Sequence, residues 1–420
     1  MFEIAIKNGL CLVKDRFLRF NIGIEGNKIT YVGKEDIRGE ENINATGCFV
    51  LPGFFNAHTH SAMTLLRGYA EGLPLKEWLE KIWEKEAKLD ERAVYLGAKL
   101  ACVEMLKSGI TCFADMYIHM DSIAKAVEET GIRAVLGYGM ADRGDEKRAK
   151  EEMRIAMDFI KNWSGKKRME FILAPHAIYT CSPEFLAEIA RIAKEKGIIK
   201  HIHASETLWE VREAKKRYGM SPIELLNSIG FLDNKTVLAH GVWLSERDME
   251  IISEKGASVA HCPSSNLKLS SGIAKVAEML EKGINVCLGT DGAASNNLLN
   301  LFTEMRISAL LQNLRRKFLN PAEFLRMATS NGYLAYGING GMIEKGKLAD
   351  LVIMEVSHIH QPLYEPVNSI VFSSLGSEVR DVIVDGRVVL EDREPIYFEL
   401  EELIEEVRLL LSFDYYYEKV

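Results

Sequence analysis

The stretch Leu51-Pro52-Gly53-Phe54-Phe55-Asn56-Ala57-His58-Thr59-His60 is an apolar run that ends in two histidines. In an extended strand, side chains two residues apart face the same side, so His58 and His60 share one face. Two imidazoles on one face can supply part of a metal site, although pairs of histidines also cap strand ends without binding a metal. The residues at the ends of the other strands decide between these two interpretations.

Eight short apolar runs occur in the middle of the chain, separated by stretches long enough for helices. They cover residues 48–56, 110–116, 133–139, 169–175, 199–204, 236–241, 258–262 and 285–290. Strands that alternate with helices predict parallel β-α units, and eight such units predict an α/β fold of the TIM type, a closed (β/α)8 barrel. A doubly wound open sheet is the alternative. Seven of the eight runs contain or lead into a histidine or an aspartate near their carboxyl ends, and only a closed barrel directs all those strand ends to one point.

The two ends of the chain have a different pattern, that of short strands joined by tight turns. Asp385-Gly386 stands between two apolar runs, which is a strong hairpin signal. We predict that residues 1–50 and 345–420 together form a small β-sandwich domain, with a helix over residues 399–411. Residues 51–344 then form the barrel.

The composition limits the kinds of partner that the protein can have. The 420 residues are 47% hydrophobic and carry a formal net charge of −8 without a basic stripe, which argues against nucleic acid as a partner. No run approaches the roughly 20 apolar residues of a membrane span, and the first residues lack the pattern of a signal peptide. Seven scattered cysteines without a C-x-x-C pair predict reduced thiols. We therefore expect a cytoplasmic protein without a membrane or nucleic-acid partner. We separately expect a small-molecule ligand and a homo-oligomer.

A metal centre follows from the strand ends taken together. His203, His240 and Asp291 also stand at strand ends, and a third imidazole with one carboxylate would complete the face that His58 and His60 begin. Such a donor set leaves a divalent ion with residual positive charge, which lowers the pKa of a bound water to about 7. Zinc suits a nitrogen-rich site with an open position, and iron, manganese or cobalt fit the same donors.

Two further features concern the chemistry at this centre. A second metal would need a bridging carboxylate, and the fourth strand, residues 171–176, has no lysine that carboxylation could convert into one. We therefore predict one ion per chain. Glu206 lies three residues after His203, where a carboxylate can move a proton from an attacking water to a substrate nitrogen. The alternative role for Glu206 is a helix-start carboxylate favoured by the macrodipole.

These residues lie in motifs that resemble a known family. The chain resembles the amidohydrolase superfamily and, within it, the methylthioadenosine/S-adenosylhomocysteine deaminases, a group that includes the 5′-deoxyadenosine deaminases. The matching segments, which run nearly from end to end of the chain, are residues 51–60, 63–68, 203–207, 263–269, 289–297 and 345–352. The subgroup motifs are partly shared with guanine deaminases and triazine hydrolases.

The resemblance implies zinc-dependent hydrolytic deamination of an adenine nucleoside. It implies that zinc is bound by four residues: His58, His60, His203 and Asp291. It further implies that Glu206 moves a proton to the ring nitrogen beside the attacked carbon and that His240 polarises the attacking hydroxide. Asp291 doubles as a base.

The same resemblance assigns residues to the substrate. Glu86 matches the glutamate that binds the ribose, with Glu84 as the second choice because this segment is one residue shorter than in the family. His176 matches the substrate-binding histidine. Arg148 and Tyr138 stand near the positions where family members suited to S-adenosylhomocysteine have arginines for the carboxylate of its tail. Because one of those positions is a tyrosine, we expect a preference for small, uncharged 5′ groups.

Three alternatives are compatible with the sequence. A guanine deaminase or a triazine-type aminohydrolase or chlorohydrolase would use the same scaffold. A two-metal deacetylase or cyclic amidase is disfavoured by the missing lysine. A barrel that serves only as a non-catalytic scaffold is disfavoured because all four candidate ligands and Glu206 are present.

Overall fold

The computed structural model of the protein describes residues 1–417, and in the last helix the side chains as far as Leu411. The strands are β1 (Phe2–Val13), β2 (Arg16–Glu25), β3 (Lys28–Gly33), β4 (Gly39–Asn44), β5 (Cys48–Pro52), β6 (Phe54–Thr59), β7 (Ile110–Tyr117), β8 (Arg133–Met140), β9 (Met169–Pro175), β10 (Ile199–Ala204), β11 (Thr236–His240), β12 (Ser258–His261), β13 (Asn285–Leu288), β14 (Leu351–Glu355), β15 (Val379–Val384), β16 (Arg387–Glu391) and β17 (Glu394–Pro395).

The helices lie mainly between the strands of the middle part of the chain. They are α1 (Leu75–Glu86), α2 (Glu91–Lys107), α3 (Met120–Thr130), α4 (Glu146–Trp163), α5 (Pro183–Lys196), α6 (Leu208–Tyr218), α7 (Pro222–Ser228), α8 (Glu246–Lys255), α9 (Pro263–Lys268), α10 (Val276–Glu281), α11 (Ala293–Asn296), α12 (Leu301–Leu314), α13 (Pro321–Ala328), α14 (Ser330–Ala335), α15 (Pro366–Ser373) and α16 (Leu400–Tyr417), with short 3-10 turns at Ser61–Leu66 and His358–His360.

Strands β6 to β13 form the predicted barrel of eight parallel strands, paired in chain order. The sheet closes where β13 returns to β6, because the amide of Asp291 donates to the carbonyl of His58 at 2.9 Å. Gly289 lies so close to the backbone of His58 that a Cβ there would come within 2.9 Å of it. Closure therefore brings the carboxyl ends of all eight strands to one face of the molecule.

The barrel is filled by small and medium apolar side chains of its own strands. Phe55, Ala57, Cys112 and Val135 belong to one buried cluster that also contains Tyr336, just after α14. Several of the surrounding helices begin at a residue whose side chain caps the first turn. In α5, for example, Ser182 accepts from the amide of Phe185 and a proline occupies the first turn.

The chain ends form a separate nine-stranded mixed sheet, in the order β17-β16-β15-β14-β5-β1-β2-β3 with β4 beside β1. The two ends meet where β5 pairs antiparallel with β14. The predicted hairpin at Asp385-Gly386 is present, and both residues have the positive φ angles of 53° and 75° that this turn requires. The small sandwich domain made from both ends is thus confirmed.

The apolar run 48–56 is not one strand, and this prediction was wrong. Residues Cys48–Pro52 form β5 of the end sheet, and Phe54–Thr59 form β6 of the barrel. Gly53 joins them because a Cβ at this position would lie 2.0 Å from the hydroxyl oxygen of Thr111. The division into residues 1–50 with 345–420 and residues 51–344 stays our proposal for the domain boundaries, and residues 418–420 lie outside the described part of the chain.

The C-terminal helix α16 packs on α2. Leu403 and Val407 share a buried cluster with Leu96 and Val103 of α2. Its helical pattern was visible in the sequence, but its partner was not. No helix in the described part of the chain is long and apolar enough to cross a membrane.

Candidate metal centre

Four histidines and one aspartate meet at the carboxyl ends of the barrel strands. His58, His60 and His203 form one group, in which one ring nitrogen of each lies within 4.8 Å of the other two. His58, His240 and Asp291 form a second group, in which two ring nitrogens and a carboxylate oxygen lie within the same distance of one another. The Oδ1 atom of Asp291 lies 3.5 Å from Nε2 of His58 and 3.3 Å from Nε2 of His60. These spacings leave room for one cation between the side chains.

Backbone carbonyls orient two of these rings. Nδ1 of His60 is 2.7 Å from the carbonyl oxygen of Met116, and Nδ1 of His203 is 2.7 Å from that of His176. Because a carbonyl can only accept, each Nδ1 carries the proton and each Nε2 keeps its lone pair. Burial lowers the pKa of His203 well below its usual range, so this ring is neutral at neutral pH.

The carboxylate of Asp291 is held by short hydrogen bonds. Its Oδ2 accepts from the hydroxyls of Ser265 and Ser295 at 2.6 and 2.8 Å, and its Oδ1 accepts from the amide of Gly292 at 2.8 Å. Burial raises its pKa, but the neighbouring rings of His58 and His60 outweigh burial, so the pKa lies well below the usual range. Asp291 is therefore an ionised, fixed carboxylate.

The donor set fits a divalent metal. His58 is fully buried, and its Nε2 has no hydrogen-bond partner among the described residues. Burial lowers the pKa of His58 to about 4, so this ring is neutral at neutral pH. Leaving its Nε2 unpaired in the interior is unfavourable, whereas a cation between neutral imidazoles and one carboxylate satisfies it.

Glu206 and His240 lie beside this cluster. Nε2 of His240 is 3.8 Å from Oε2 of Glu206, and the other oxygen of Glu206 accepts from the hydroxyl of Ser271 at 3.0 Å. Burial raises the pKa of Glu206, partly opposed by His240. For His240, burial lowers the pKa, but Glu206 and Asp291 outweigh that effect and the net pKa is raised. The raised pKa of each group favours its protonated form.

Unusual backbone angles aim several of these side chains. Ser205, His240 and Asp291 follow or end strands β10, β11 and β13 with φ of 53°, 73° and 61°. Non-glycine residues adopt this left-handed region at a cost of about 1–3 kcal/mol, and they do so mostly at functional sites. At the first of these bends, the carboxylate of Glu210 accepts from the amides of Ser205 and Glu206 at 3.0 and 2.8 Å.

A pocket opens from the metal centre towards α1. One wall is apolar and comes largely from α1: Leu75, Trp78, Leu79, Ile82 and Trp83. Glu86, at the end of α1, and His176 line the same pocket, whereas Glu84 is exposed and does not. Nδ1 of His176 pairs with the hydroxyl of Thr180 at 2.9 Å.

Two predicted substrate residues are not in the pocket. Tyr138 lies on the outer face of β8. It packs against the hydrophobic core that the surrounding helices share with the strands, and it interacts with Glu152 of α4. Arg148 is 45% exposed on α4 and also pairs with Glu152, at 3.3 Å. The pocket is instead lined by Gly139 and, at its mouth, by Arg143, whose guanidinium lies 5.5 Å from the centre of the Trp83 ring. The expectation for Tyr138 and Arg148 was wrong because strand alternation turns residue 138 outwards.

A sequence profile described as "Amidohydrolase family" matches residues 49–389. The chain belongs to the amidohydrolase family. A 5-methylthioadenosine/S-adenosylhomocysteine deaminase 2 of Archaeoglobus fulgidus is 58% identical over 407 residues, covering 96% of this chain and 97% of the relative. A 5′-deoxyadenosine deaminase of Methanosphaera stadtmanae is 43% identical over 416 residues, covering 97% and 98%. Family and relatives together identify a metal-dependent aminohydrolase.

Solved amidohydrolase structures agree with the fold. A zinc-bound adenosine deaminase from Xanthomonas campestris superposes with a TM-score of 0.94 at 30% identity and covers 98% of both chains. The atrazine chlorohydrolase TrzN of Arthrobacter aurescens superposes with a TM-score of 0.91 at 24% identity, covering 97% of this chain and 99% of the other. The second similarity supports the architecture alone.

Sequence reasoning missed the residues that support the site of this amidohydrolase. Ser265, Ser271 and Ser295 hold the two carboxylates, and Asn266 accepts from Nδ1 of His240 at 2.9 Å. Two of the segments matched to the family, residues 263–269 and 289–297, contain three of these four. These motifs could therefore have pointed to the supporting residues. They could not have shown which side chain each residue contacts.

Proposed function

We propose that this enzyme hydrolytically deaminates 5′-substituted adenine nucleosides and releases ammonia and the inosine analogue. The substrates are methylthioadenosine, 5′-deoxyadenosine and adenosine, with S-adenosylhomocysteine as a weaker one. The observation that carries the proposal is the position of Glu206 and His240 beside a cluster of neutral imidazoles and an ionised aspartate. The names of two relatives, one 58% and one 43% identical, support this substrate class.

We propose zinc as the metal, one ion per chain, held by His58, His60, His203 and Asp291. When bound, the ion would make a hydroxide nucleophile available at neutral pH and would stabilise negative charge on the oxygen that adds to the attacked carbon. The fourth barrel strand, β9, contributes no carboxylate or lysine to the pocket, and this supports a single ion.

Glu206 is the proton carrier in this proposal. An aromatic carbon that bears an amino group is a poor electrophile, and protonation of the adjacent ring nitrogen makes it a better one. One oxygen of Glu206 is fixed by Ser271 and the other faces His240, so the free oxygen can take a proton from water and deliver it to the ring. The raised pKa of this buried carboxyl suits a group that must both accept and donate a proton.

His240 and Asp291 act at the other side of the attacked carbon. Because Nδ1 of His240 is paired with Asn266, its Nε2 faces the pocket and can orient the attacking oxygen. Asp291 is held ionised by Ser265 and Ser295 and can accept the second proton. That proton then goes to the leaving amino group, which departs as ammonia.

Glu86 and His176 orient the nucleoside. Burial raises the pKa of Glu86, opposed by the Tyr117 hydroxyl and by His60, and its carboxylate can accept from both ribose hydroxyls. His176 is neutral, since burial lowers its pKa to about 3, and it offers Nε2 because Nδ1 is paired with Thr180.

The apolar wall of α1 favours small, uncharged 5′ groups. Arg143 is the one lysine or arginine among the described residues that line this pocket, and its side chain is exposed at the mouth, where a carboxylate on the 5′ tail would meet it. An exposed ion pair contributes only about 0–1 kcal/mol. The preference for small 5′ groups predicted from the sequence therefore stays our proposal. It now rests on the apolar wall and the exposed Arg143, and no longer on Tyr138.

The first test of the proposal is dependence on the metal. Ammonia release from 5′-deoxyadenosine should stop after the protein is dialysed against a chelator and return when zinc is added. Turnover that survives complete removal of the metal would contradict the proposal.

We also propose a cytoplasmic homo-oligomer. All seven cysteines are free and buried, as in proteins of reducing compartments. Leu314, the last residue of α12, and Phe318, four residues later, are 72% and 79% exposed, and an exposed apolar patch favours contact between subunits. Light scattering after size-exclusion chromatography measures the mass directly, and a monomer at all concentrations would contradict this part.

A further inference from the structure

His58 differs from the other two candidate histidine ligands in how its ring is oriented. His60 and His203 donate Nδ1–H to backbone carbonyls, which fixes their tautomers. Nδ1 of His58 instead lies 2.9 Å from Nε2 of a second histidine, His201. Because either nitrogen of a neutral imidazole can carry the proton, this contact alone does not determine which nitrogen of His58 keeps a lone pair.

A tyrosine resolves the ambiguity. Nδ1 of His201 lies 2.7 Å from the hydroxyl oxygen of Tyr336, and this hydroxyl lies 2.8 Å from the carbonyl oxygen of Ala57. The carbonyl can only accept, so the single proton of the hydroxyl points to Ala57. The hydroxyl must therefore accept from Nδ1–H of His201, whose Nε2 in turn accepts from Nδ1–H of His58. Every direction in this series follows from the carbonyl at its end.

The ring geometry fits a series of in-plane hydrogen bonds. The rings of His58 and His201 have centroids 5.0 Å apart and planes inclined by 15°, and those of His201 and Tyr336 are 6.2 Å apart and inclined by 12°. His58, His201 and Tyr336 are all buried, at 0%, 1% and 4% exposure. In the opposite direction the lone pairs of Tyr336 and Ala57 would face each other at 2.8 Å, which is unfavourable without solvent.

We infer that Tyr336 is a positioning residue that, through His201, fixes the tautomer of His58 and so presents the Nε2 lone pair of His58 to the metal. The inference rests on the proposed metal site. It gives His201 a purpose distinct from that of His203, although both belong to β10. The same interactions tie α14 and the residue after it to the centre, because Tyr336 follows this helix.

The direct test is the tautomer of His58 in the wild-type protein. Long-range proton–nitrogen NMR spectra of metal-free protein labelled on histidine distinguish protonation at Nδ1 from protonation at Nε2. We expect His58 and His201 both to be protonated at Nδ1. Protonation of His58 at Nε2 would overturn the inference. This measurement needs neither a variant nor bound metal, so it decides the inference even if the proposed zinc site is wrong.

Tyr336→Phe tests the consequence for the metal. Without the hydroxyl, Nδ1 of His201 has no acceptor and His58 loses its fixed tautomer, so zinc affinity measured by chelator competition should fall about 10–100-fold, the range seen when such supporting partners are removed. Turnover at saturating zinc should recover, because Tyr336 is not in the pocket lining. Unchanged zinc affinity together with an unchanged tautomer would overturn the inference.

Tyr333→Phe is the matched control. Tyr333 is a buried tyrosine of α14 whose hydroxyl pairs with Thr111 at 2.9 Å and Asp350 at 3.0 Å, in the same inner cluster but away from the histidines. Tyr333→Phe should lower the midpoint of thermal unfolding as Tyr336→Phe does, but it should leave the zinc affinity and the NMR spectrum of His58 unchanged. Equal loss of zinc affinity in both variants would mean that Tyr336 has only a structural role. A wild-type protein that binds no zinc would instead contradict the proposed function.

Discussion

Nε2 of His240 lies 3.8 Å from Oε2 of Glu206, and both side chains are buried at the mouth of the barrel. Each is fixed from behind, His240 by Asn266 and Glu206 by Ser271. The gap between them is too wide for a hydrogen bond and lies beside the candidate metal ligands. The attacked carbon and the attacking water would therefore lie beside both groups, within reach of the proposed oxygen-orienting His240 and the proposed proton carrier Glu206.

Replacement of Glu206, the proposed proton carrier, should abolish turnover without loss of the metal. Glu206→Gln keeps the shape and the bond from Ser271 but cannot carry a proton, so we expect kcat to fall about 10²–10⁴-fold, as for the loss of a general acid-base. Zinc content, measured on the same preparation, should equal that of wild type. A variant with more than about a tenth of the wild-type kcat would show that the proton follows another route.

The ribose site should depend on Glu86 and not on its neighbour Glu84. Glu86→Gln loses a charge-assisted hydrogen bond to the sugar, and such bonds contribute about 1.5–3 kcal/mol, so kcat/KM for 5′-deoxyadenosine should fall tenfold or more. Glu84→Gln, on the exposed side of the same helix, is the control and should be unchanged. The reverse result would reassign the ribose to Glu84.

The 5′ tail provides a test of specificity. Wild type should have a higher kcat/KM for 5′-deoxyadenosine than for S-adenosylhomocysteine, and Arg143→Ala should lower only the second, by a few fold, because an exposed ion pair is weak. Arg148→Ala, which removes a charge outside the pocket, should affect neither substrate. If S-adenosylhomocysteine is the better substrate of the wild type, the apolar wall of α1 does not set the preference.

One divalent ion should be present per chain. Elemental analysis of protein loaded with zinc and then freed of excess metal should give one equivalent, since Asp291 is the single carboxylate among the clustered candidate ligands in the described part of the chain. Two tightly bound equivalents, or none, would contradict the site. His203→Ala, which removes one candidate ligand, should lower the retained zinc.

The strand ends could be predicted because a parallel barrel gives them one common direction. His58, His60, His203 and Asp291 meet as that geometry requires, and the seven later barrel strands begin within a residue of the predicted starts. Their assigned roles stay predictions.

Other features depend on contacts that no local pattern encodes. The split falls at Pro52-Gly53, a dipeptide that often marks a break in a strand, but the close approach of Thr111 to Gly53 is visible only in the structure. The outward direction of Tyr138 needs the register of β8, which one sequence does not fix. The amphipathic pattern of α16 indicates that one face is buried but does not indicate that α2 covers it.

The most direct measurement of the central claim is the fate of the adenine amino group in heavy-oxygen water. Zinc-loaded enzyme is supplied separately with 5′-deoxyadenosine, methylthioadenosine, guanine and a chlorotriazine, and ammonia and the labelled product are quantified. The account predicts one ammonia and one labelled oxygen per adenine nucleoside consumed, with much slower turnover of guanine and the triazine. Faster turnover of guanine or the triazine, or product without the label, would contradict it.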